Sequence, residues 1–371
     1  MPGTDEPSAP YSSLRGSLVQ KLRRFILVCL SLTLLPSFTA GTQTGTTDRI
    51  RISLDTSEAE AVSAILDKKA AGWTVTDAEW QKLFATEPYQ RLKKREASMH
   101  REFTDEDFTK FVLSDELAKQ AAELRKTLDD WKKADLTAAA QRVLPYLPAQ
   151  ARIRAKVYPV IKPKHNSFVF ESSTDPAIFL YIDPAVTRAK FENTVAHEMH
   201  HIGFASLGDA MDANLAGLPP ATKSAVEWMG AFGEGFAMLA AAGGPDVHPH
   251  AVSTPEERAR WDHDMASYPA DLHTLDQFFL DTLHGKLKTK DEIDAKAHTF
   301  FGIQGPWYTV GYKMAVTIEE QFGRDRLIEC MTDIRQLLPT YNHAAEAKSK
   351  KSGEAPLLWS AELIQAIEQK H

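Results

Sequence analysis

Two histidines and a glutamate near the middle of the chain have the spacing of a metal-binding helix. They stand in the segment His197-Glu198-Met-His-His201, and residues four apart project from the same face of an α-helix. Two imidazole nitrogens on one face can reach a single Zn2+ at about 2.0–2.1 Å. Glu198 is rotated from them by about 100°, close enough to hydrogen-bond a water on the metal without ligating it. The pattern predicts a zinc-activated water with Glu198 as its general base, which is the chemistry of carbonyl hydrolysis.

The same segment has a separate apolar stripe, so the histidines are not needed to pack the helix. This stripe consists of Phe191, Val195, Met199 and Ile202. We therefore expect His197 and His201 to be available to a metal. His200 lies on the flank of the histidine face, and we expect it to support a ligand or to face solvent rather than to bind the metal itself.

A catalytic zinc site needs a third protein ligand and an open position. The sequence offers Glu227 and Glu234, seven residues apart on one face of a helix predicted over 223–242. Gly233 and Gly235 flank Glu234, and each costs about 1 kcal/mol in a helix relative to alanine. We expect this cost to be tolerated because the backbone comes very close to the histidine helix. We therefore expect Glu234 to be the ligand; Glu227 is the alternative ligand, a supporting partner, or a residue on a solvated face.

A second group of polar side chains follows this helix. His248 and His250 stand in a proline-containing loop, and His263 comes later between Asp262 and Asp264. Histidine and carboxylate side chains are metal ligands, so a second metal site is one interpretation. Nothing in the spacing ties the loop histidines to the later residues, and we expect a polar surface loop near the cleft instead.

The elements that must position these residues are mostly helices. The pattern from about Ser53 to Leu147 is helical, being rich in Ala, Glu, Lys and Leu with almost no glycine. Strands and then helices are predicted after it, with the strands at 153–161, 167–171 and 177–183 and the helices at 187–206, 223–242 and 310–322. The expected fold class is mainly α with a small β-sheet, an α+β arrangement.

Composition and charge exclude one class of partner. Hydrophobic residues make up 43% and charged residues 25% of the chain, the balance of a globular protein with a real core. The formal net charge is -7, and no basic cluster of the kind that follows a phosphate backbone occurs after residue 40. We therefore expect no nucleic-acid partner.

The N-terminus has the layout of a secretory signal. Lys21, Arg23 and Arg24 precede an apolar run over 25–36, and small residues follow up to Ala40. The run is shorter than the roughly 20 apolar residues of a membrane span. We expect export to the periplasm or the medium, and an uncleaved segment acting as a membrane anchor is the alternative. A chain cleaved after residue 40 would keep one of its two cysteines, so it could form no internal disulfide.

Three segments carry a resemblance to a known group of enzymes, namely His197-Glu-Met-His-His-Ile-Gly-Phe204, Gly233-Glu-Gly-Phe-Ala237 and Gly305-Pro-Trp-Tyr-Thr-Val-Gly-Tyr312. HExxH followed one helix later by Glu-Gly-x-Ala resembles the gluzincin metallopeptidases, in which the third zinc ligand is a glutamate. More narrowly, the chain is similar to a poorly characterised bacterial family of proposed zinc-dependent peptidases, from about residue 150 to 343. The resemblance implies a thermolysin-like, zincin-type catalytic core.

The resemblance also points to two tyrosines. Tyr308 and Tyr312 lie one turn apart at a helix start after Gly305 and Pro306, which places both hydroxyls on one face. In related families, a tyrosine of a similar segment stabilises the oxyanion that forms during hydrolysis. The resemblance therefore implies Tyr308 first, and Tyr312 second, as the oxyanion donor. The alternative for each is a tyrosine that covers the core with its hydroxyl at the surface.

The sequence leads to one function and two alternatives. We divide the chain into an N-terminal extension with the signal-like segment (1–40), a helical region (41–150) and a zincin-like catalytic domain (151–371). The predicted reaction is hydrolysis of a peptide or protein substrate with one Zn2+ per chain. The alternatives are a zinc hydrolase acting on a non-peptide amide or ester, and a non-catalytic metal-binding module on the same fold.

Overall fold

A computed structural model of the protein describes residues 46–208, 215 and 217–368. The signal-like segment over residues 1–40 lies outside the described residues, so the expectation of export stays a prediction. Within the part of the chain that is described, no helix combines the length and the apolar character needed to cross a membrane.

A four-stranded mixed sheet forms one layer of the described fold. Its strands are β1 (Ile50–Leu54), β2 (Ile153–Val160), β3 (Phe168–Phe170) and β4 (Ala177–Tyr181), in the order β1-β2-β4-β3. The strands β1, β2 and β4 are parallel, with Leu54 opposite Val157 and Lys156 opposite Ala177. The short edge strand β3 is antiparallel to β4. The parallel pairing of β1 with β2 requires a long crossover, which the N-terminal helices provide.

The first group of helices lies within and before that crossover. These helices are α1 (Thr46–Arg49), α2 (Ser57–Ala70), α3 (Asp77–Phe84), α4 (Glu87–Ser98), α5 (Asp105–Val112), α6 (Asp115–Trp131) and α7 (Leu136–Val143). Several begin at the cap residues that their sequences offer. Thr104 accepts a hydrogen bond from the backbone of Asp107, and Thr76 forms a capping box with Glu79.

The second group follows the sheet and contains the residues proposed above for the zinc site. These helices are α8 (Arg188–Ala205), α9 (Pro220–Met229), α10 (Gly233–Ala242), α11 (Pro255–Ala266), α12 (Tyr268–Leu283), α13 (Lys290–His298), α14 (Pro306–Phe322), α15 (Arg324–Thr332), α16 (Leu337–Ser352) and α17 (Ala361–Glu368). The protein is thus mainly helical with a small mixed sheet, which confirms the α+β class.

The core lies on both faces of the sheet. The large apolar cluster contains residues from helices on both sides of the predicted boundary near residue 150, including Trp131, Phe191 and Trp307. A smaller cluster around Tyr158 and Phe168 fills the other face. The sheet itself takes β1 from before residue 150 and β2 from after it, whereas the domain boundary stays a prediction.

Helix α4 covers that smaller cluster with its basic side chains. The Arg95 guanidinium lies 3.9 Å from the centre of the Phe168 ring. Arg91 is buried and donates to Asp175 Oδ2 at 2.9 Å and to Glu171 Oε2 at 2.7 Å, on the turn between β3 and β4. A charge-assisted pairing of this kind fixes the position of the turn, and with it the edge of the sheet.

Three predicted elements differ from those observed, and one of them, the helix predicted over 310–322, begins earlier, at Pro306. The strand β1 was missing from the prediction, because its five residues pair with a strand about one hundred residues later and so carry little local signal. The helix predicted over 223–242 is interrupted by a 3-10 turn at Gly230–Phe232, which separates α9 from α10. The three predicted strands and the helix around His197 are observed within one or two residues of their predicted bounds.

Candidate metal centre

Helix α8 holds the two histidines on a firmly packed element. Thr187 caps its N-terminus by accepting a hydrogen bond from Lys190 N at 3.3 Å. The predicted apolar stripe is buried, with Phe191, Val195, Met199 and Ile202 each no more than 1% exposed. Trp131 of helix α6 stacks on Phe191 with ring centres 4.3 Å apart and donates through Nε1 to Val186 O at 3.0 Å. Helix α6 thus fixes the N-terminal end of the histidine helix α8.

Three side chains converge at this centre in the arrangement that a divalent metal needs. His197 Nε2 lies 3.1 Å from His201 Nε2 and 3.1 Å from Glu234 Oε2, and His201 Nε2 lies 3.4 Å from Glu234 Oε2. Ligands at about 2.0–2.1 Å from a tetrahedral ion lie roughly 3.3–3.4 Å from one another. Among the described residues, these three form the group of histidine and acidic side chains that could hold an ion.

The polar atoms around this triad also fit a bound ion. Glu198 Oε2 and Glu234 Oε1 are buried and have no hydrogen-bond partner within the described chain. Buried polar atoms without partners cost free energy, and a cation or an ordered water would satisfy them. Two imidazoles with one carboxylate are a normal donor set for Zn2+, and three protein ligands leave a position open for water or substrate. The residues therefore fit zinc.

The electrostatics of the centre favour an ionised Glu234. The side chain is completely buried, which raises its pKa, but the imidazoles of His201 and His197 lower the pKa by more. The reciprocal effect raises the pKa of His201 against the opposing effect of burial. The negative charge of the buried Glu234 carboxylate is thus balanced by the neighbouring imidazoles.

The position of Glu234 depends on a very close crossing of two helices. A Cβ atom added to Gly235 would lie 1.9 Å from Tyr312 N, and one added to Gly311 would lie 2.5 Å from Phe232 O. Only glycine allows backbones to approach this closely. The close neighbour is therefore helix α14, not the histidine helix as predicted. The same crossing brings Tyr308 to the centre.

Glu227 lies outside the triad. The 3-10 turn at Gly230–Phe232 separates α9 from α10, so Glu227 and Glu234 do not lie on one continuous α-helix as expected. Of the two glutamates proposed as third ligand, the described structure places Glu234 with the histidines.

Glu198 and the two tyrosines occupy different positions relative to the triad. Glu198 is half-buried on helix α8, and burial raises its pKa against the lowering effect of His197 and His201. The Tyr308 ring is parallel to the His197 ring, with centres 6.4 Å apart. Tyr312 instead lies edge-on to Trp261 at 5.3 Å. Geometry therefore brings Tyr308, rather than both tyrosines, against a proposed metal ligand.

His200 is a core residue rather than a surface one. It is 2% exposed and lies beside Phe204, with ring centres 5.0 Å apart. Burial, together with the neighbouring histidines, holds its pKa well below the usual range. The expectation that His200 is not a ligand agrees with its place outside the triad, and the option of a solvent-facing side chain was wrong.

The later histidines form a hydrogen-bonded loop instead of a second metal group. His248 Nε2 lies 2.9 Å from Asp262 Oδ1, and His250 lies within hydrogen-bond distance of Ser253 and Gln304. Within the described residues they do not assemble with His263 or Asp264 as metal ligands. Sequence reasoning did not identify the contact of Gln304 with His250 or that of Trp131 with Val186, because each joins residues about 55 positions apart in the chain.

Comparison with known proteins adds one result. No curated protein and no solved structure matches the chain. A family profile matches residues 80–350, more than two thirds of the chain, and that range includes the triad, Glu198 and both tyrosines. The chain therefore belongs to the family described as "Putative zinc dependent peptidase (DUF5700)".

Proposed function

We propose that the protein hydrolyses peptide bonds with one zinc ion per chain held by His197, His201 and Glu234. The observation that carries this proposal is the convergence of His197 Nε2, His201 Nε2 and Glu234 Oε2 within 3.1–3.4 Å, beside the half-buried carboxylate of Glu198. Zinc bound there would lower the pKa of a water towards 7 and polarise the carbonyl that is attacked. Membership of a family described as zinc-dependent peptidases supports the same reaction.

Glu198 is the proposed general base. It lies next to His197 on helix α8, and its Oε2 is buried without a partner in the described chain. Burial raises the pKa of this carboxyl group, so the carboxylate is a better proton acceptor than an exposed one. In our proposal Glu198 takes a proton from the attacking water and then passes it to the nitrogen of the leaving amine.

Tyr308 is the proposed donor to the oxyanion. Its ring lies parallel to the ring of His197 at 6.4 Å, in the first turn of helix α14. A hydroxyl group at this position can donate a hydrogen bond to the charge that develops on the carbonyl oxygen. Tyr312 packs edge-on against Trp261, and we assign it to packing rather than to the reaction.

The substrate class follows from the chemistry of the site and the composition of the chain. We propose a peptide or protein substrate and no nucleic acid, because the protein is acidic overall, with a net charge of -7. A thermolysin-like arrangement of the catalytic helices and export through the signal-like segment at residues 1–40 are further parts of this proposal.

The test is cleavage of an unbiased peptide mixture by the full-length, zinc-loaded chain, followed by mass spectrometry. Its matched control is Glu198→Gln, which removes the base and leaves the three proposed ligands in place. We expect cleavage by the parent, a loss of at least about 100-fold in the variant, and the same zinc content in both.

Each other outcome has a distinct meaning. Equal cleavage by parent and variant would contradict the role of Glu198. No cleavage by either protein, with one zinc bound per chain, would contradict the peptidase and would leave a non-peptide amide or ester, or a binding function, for the same metal centre.

A further inference from the structure

Two loops of the protein are joined by a histidine whose ring nitrogens both have hydrogen-bond partners. His250 lies in the loop after helix α10, and its Nε2 is 2.7 Å from the amide Nε2 of Gln304. An amide nitrogen can only donate, so the ring carries its proton on Nδ1, which lies 3.0 Å from Ser253 Oγ. His250 is 9% exposed, and burial lowers its pKa to about 4. The ring is therefore neutral at physiological pH.

The charged groups that face His250 come from three elements. They are His248 in the same loop, Glu257 and Asp262 on helix α11, and Lys190 on helix α8. His248 Nδ1 accepts a hydrogen bond from the backbone N of His250 at 3.0 Å, while its Nε2 contacts Asp262. Lys190 and Glu257 form an ion pair. The contact of His248 with Asp262 attaches the loop to helix α11, and the pair of Lys190 and Glu257 joins that helix to α8, so His250 has a fixed position.

Gln304 immediately precedes the start of helix α14. The next residue, Gly305, is the N-cap of that helix, and its backbone N donates to Phe301 O at 2.7 Å. A Cβ atom at Gly305 would lie 2.5 Å from Phe300 O, so the backbone of this turn is packed too closely for any residue but glycine. Holding Gln304 therefore fixes where the helix begins, and Tyr308 lies in its first turn.

His250 also reaches helix α14 by a second route. Its ring packs against Trp261 with centres 5.3 Å apart, and Trp261 lies edge-on to Tyr312 at the same distance. Trp261 is 2% exposed and cannot move without opening the core. Since Tyr312 follows Tyr308 by one helical turn, the two routes support successive turns of the same helix.

We propose that His250 is a positioning residue for Tyr308. By accepting a hydrogen bond from Gln304 and packing on Trp261, it holds the first two turns of helix α14 so that the Tyr308 hydroxyl is directed to the metal centre. It acts through these neighbours and not by contact with the reacting atoms. The inference rests on the role of Tyr308 in the proposed peptidase.

A double-mutant cycle on the full-length, zinc-loaded chain tests the inference. The variants are Tyr308→Phe, His250→Ala and the two combined, with His263→Ala as a control because that histidine is exposed on helix α11. We expect Tyr308→Phe to lower kcat about 100-fold and His250→Ala about tenfold, with KM and zinc affinity within about twofold of the parent. The double variant should lose no more than Tyr308→Phe alone, because one residue acts through the other.

The conservative variant His250→Gln gives a second comparison. A glutamine oxygen can still accept from the Gln304 amide, so this variant should recover kcat to within about threefold of the parent. The inference would be overturned if the kcat of the double variant fell by the product of the two single losses. It would also be overturned if His250→Ala had the same kcat as the His263→Ala control.

One readout does not depend on catalysis. In the cobalt-loaded chain labelled with 3-fluorotyrosine, the Tyr308 fluorine resonance is identified by its absence in Tyr308→Phe. We expect His250→Ala to shift this resonance and His263→Ala to leave it unchanged. Identical resonances in both variants would overturn the positioning role. If the parent cleaves no peptide but the resonance shifts as expected, the proposed peptidase fails and the positioning of Tyr308 stands.

Discussion

Two glutamates of the protein, Glu58 and Glu234, are completely buried, yet their surroundings shift their pKa values in opposite directions. At Glu234 the upward effect of burial is outweighed by His201 and His197, so its carboxylate stays ionised. At Glu58, on helix α2, burial raises the pKa to about 8 although Ile161 N donates to its Oε2 at 3.0 Å and Lys162 lies nearby.

The difference shows that burial alone does not identify a functional carboxylate. Glu234 Oε2 lies 3.1 and 3.4 Å from the Nε2 atoms of His197 and His201, and such convergence of possible ligand atoms is what a metal centre needs. Glu58 has one backbone donor, and the Nζ of Lys162 donates to Lys164 O and Asn166 instead. We therefore assign a structural role at the end of strand β2 to Glu58 and a role as metal ligand to Glu234.

The largest effect is expected at Glu58, where Glu58→Gln removes the titration but keeps an acceptor for Ile161 N. The folded pKa of about 8 lies above the ordinary 4.5, so the folded state holds the proton more tightly and ionisation lowers stability as pH rises from about 5 to 8. Between these pH values the free energy of unfolding of the variant should gain about 3–4 kcal/mol relative to the parent. Urea unfolding at several pH values measures this difference.

Lys162 affects both proteins in that experiment. Burial lowers its pKa from 10.5 to about 7, so its contribution to stability rises with pH between those values, opposite to that of Glu58. Because parent and variant both contain Lys162, its effect largely cancels in the difference. A difference that stays constant from pH 5 to 8 would show that Glu58 is ionised throughout, and the contrast with Glu234 would be lost.

The next largest effect is expected at the crossing that positions Glu234. Gly235→Ala would place a Cβ atom 1.9 Å from Tyr312 N, so helices α10 and α14 must separate. We expect a loss of about 2–3 kcal/mol in the free energy of unfolding and at least about tenfold weaker zinc binding. Gly208→Ala is the matched control, because a Cβ atom there meets nothing within 4 Å. Equal stability of the two variants would contradict the close crossing.

The smallest of these effects is expected at Trp131→Phe. The change removes the hydrogen bond from Nε1 to Val186 O and part of a buried ring, while a ring remains to stack on Phe191. The expected loss is about 1–2 kcal/mol in thermal or urea unfolding, with unchanged zinc affinity. A drop in zinc affinity would mean that the N-terminal helices shape the metal centre itself and do not simply stabilise helix α8.

The parts of the site that sequence could predict are those that lie within one element. His197, His201 and the stripe of Phe191 and Met199 belong to one helix, so a single period of 3.6 residues predicts both the metal face and the packed face. The glycine beside Glu234 likewise indicated a close backbone approach before any partner was known.

The parts that sequence could not predict depend on partners far along the chain. The parallel pairing of β1 with β2 joins residues such as Leu54 and Val157, and the contact of His250 with Gln304 joins two loops. The sequence also could not predict which helix crosses Gly235. A glycine indicates that another backbone comes close, but it does not identify that backbone. Resemblance ranked Tyr308 ahead of Tyr312, but only the structure showed that the Tyr308 ring lies beside His197 and the Tyr312 ring beside Trp261.

The most direct test of the central claim is the zinc content and zinc affinity of three full-length proteins, the parent, Glu234→Ala and the Glu58→Gln control. Each variant changes one completely buried glutamate, so burial is matched. We predict one zinc per chain with equal affinity in the parent and in Glu58→Gln, and an affinity at least about 100-fold weaker in Glu234→Ala. Undiminished zinc binding by folded Glu234→Ala, or its loss in folded Glu58→Gln, would contradict the account.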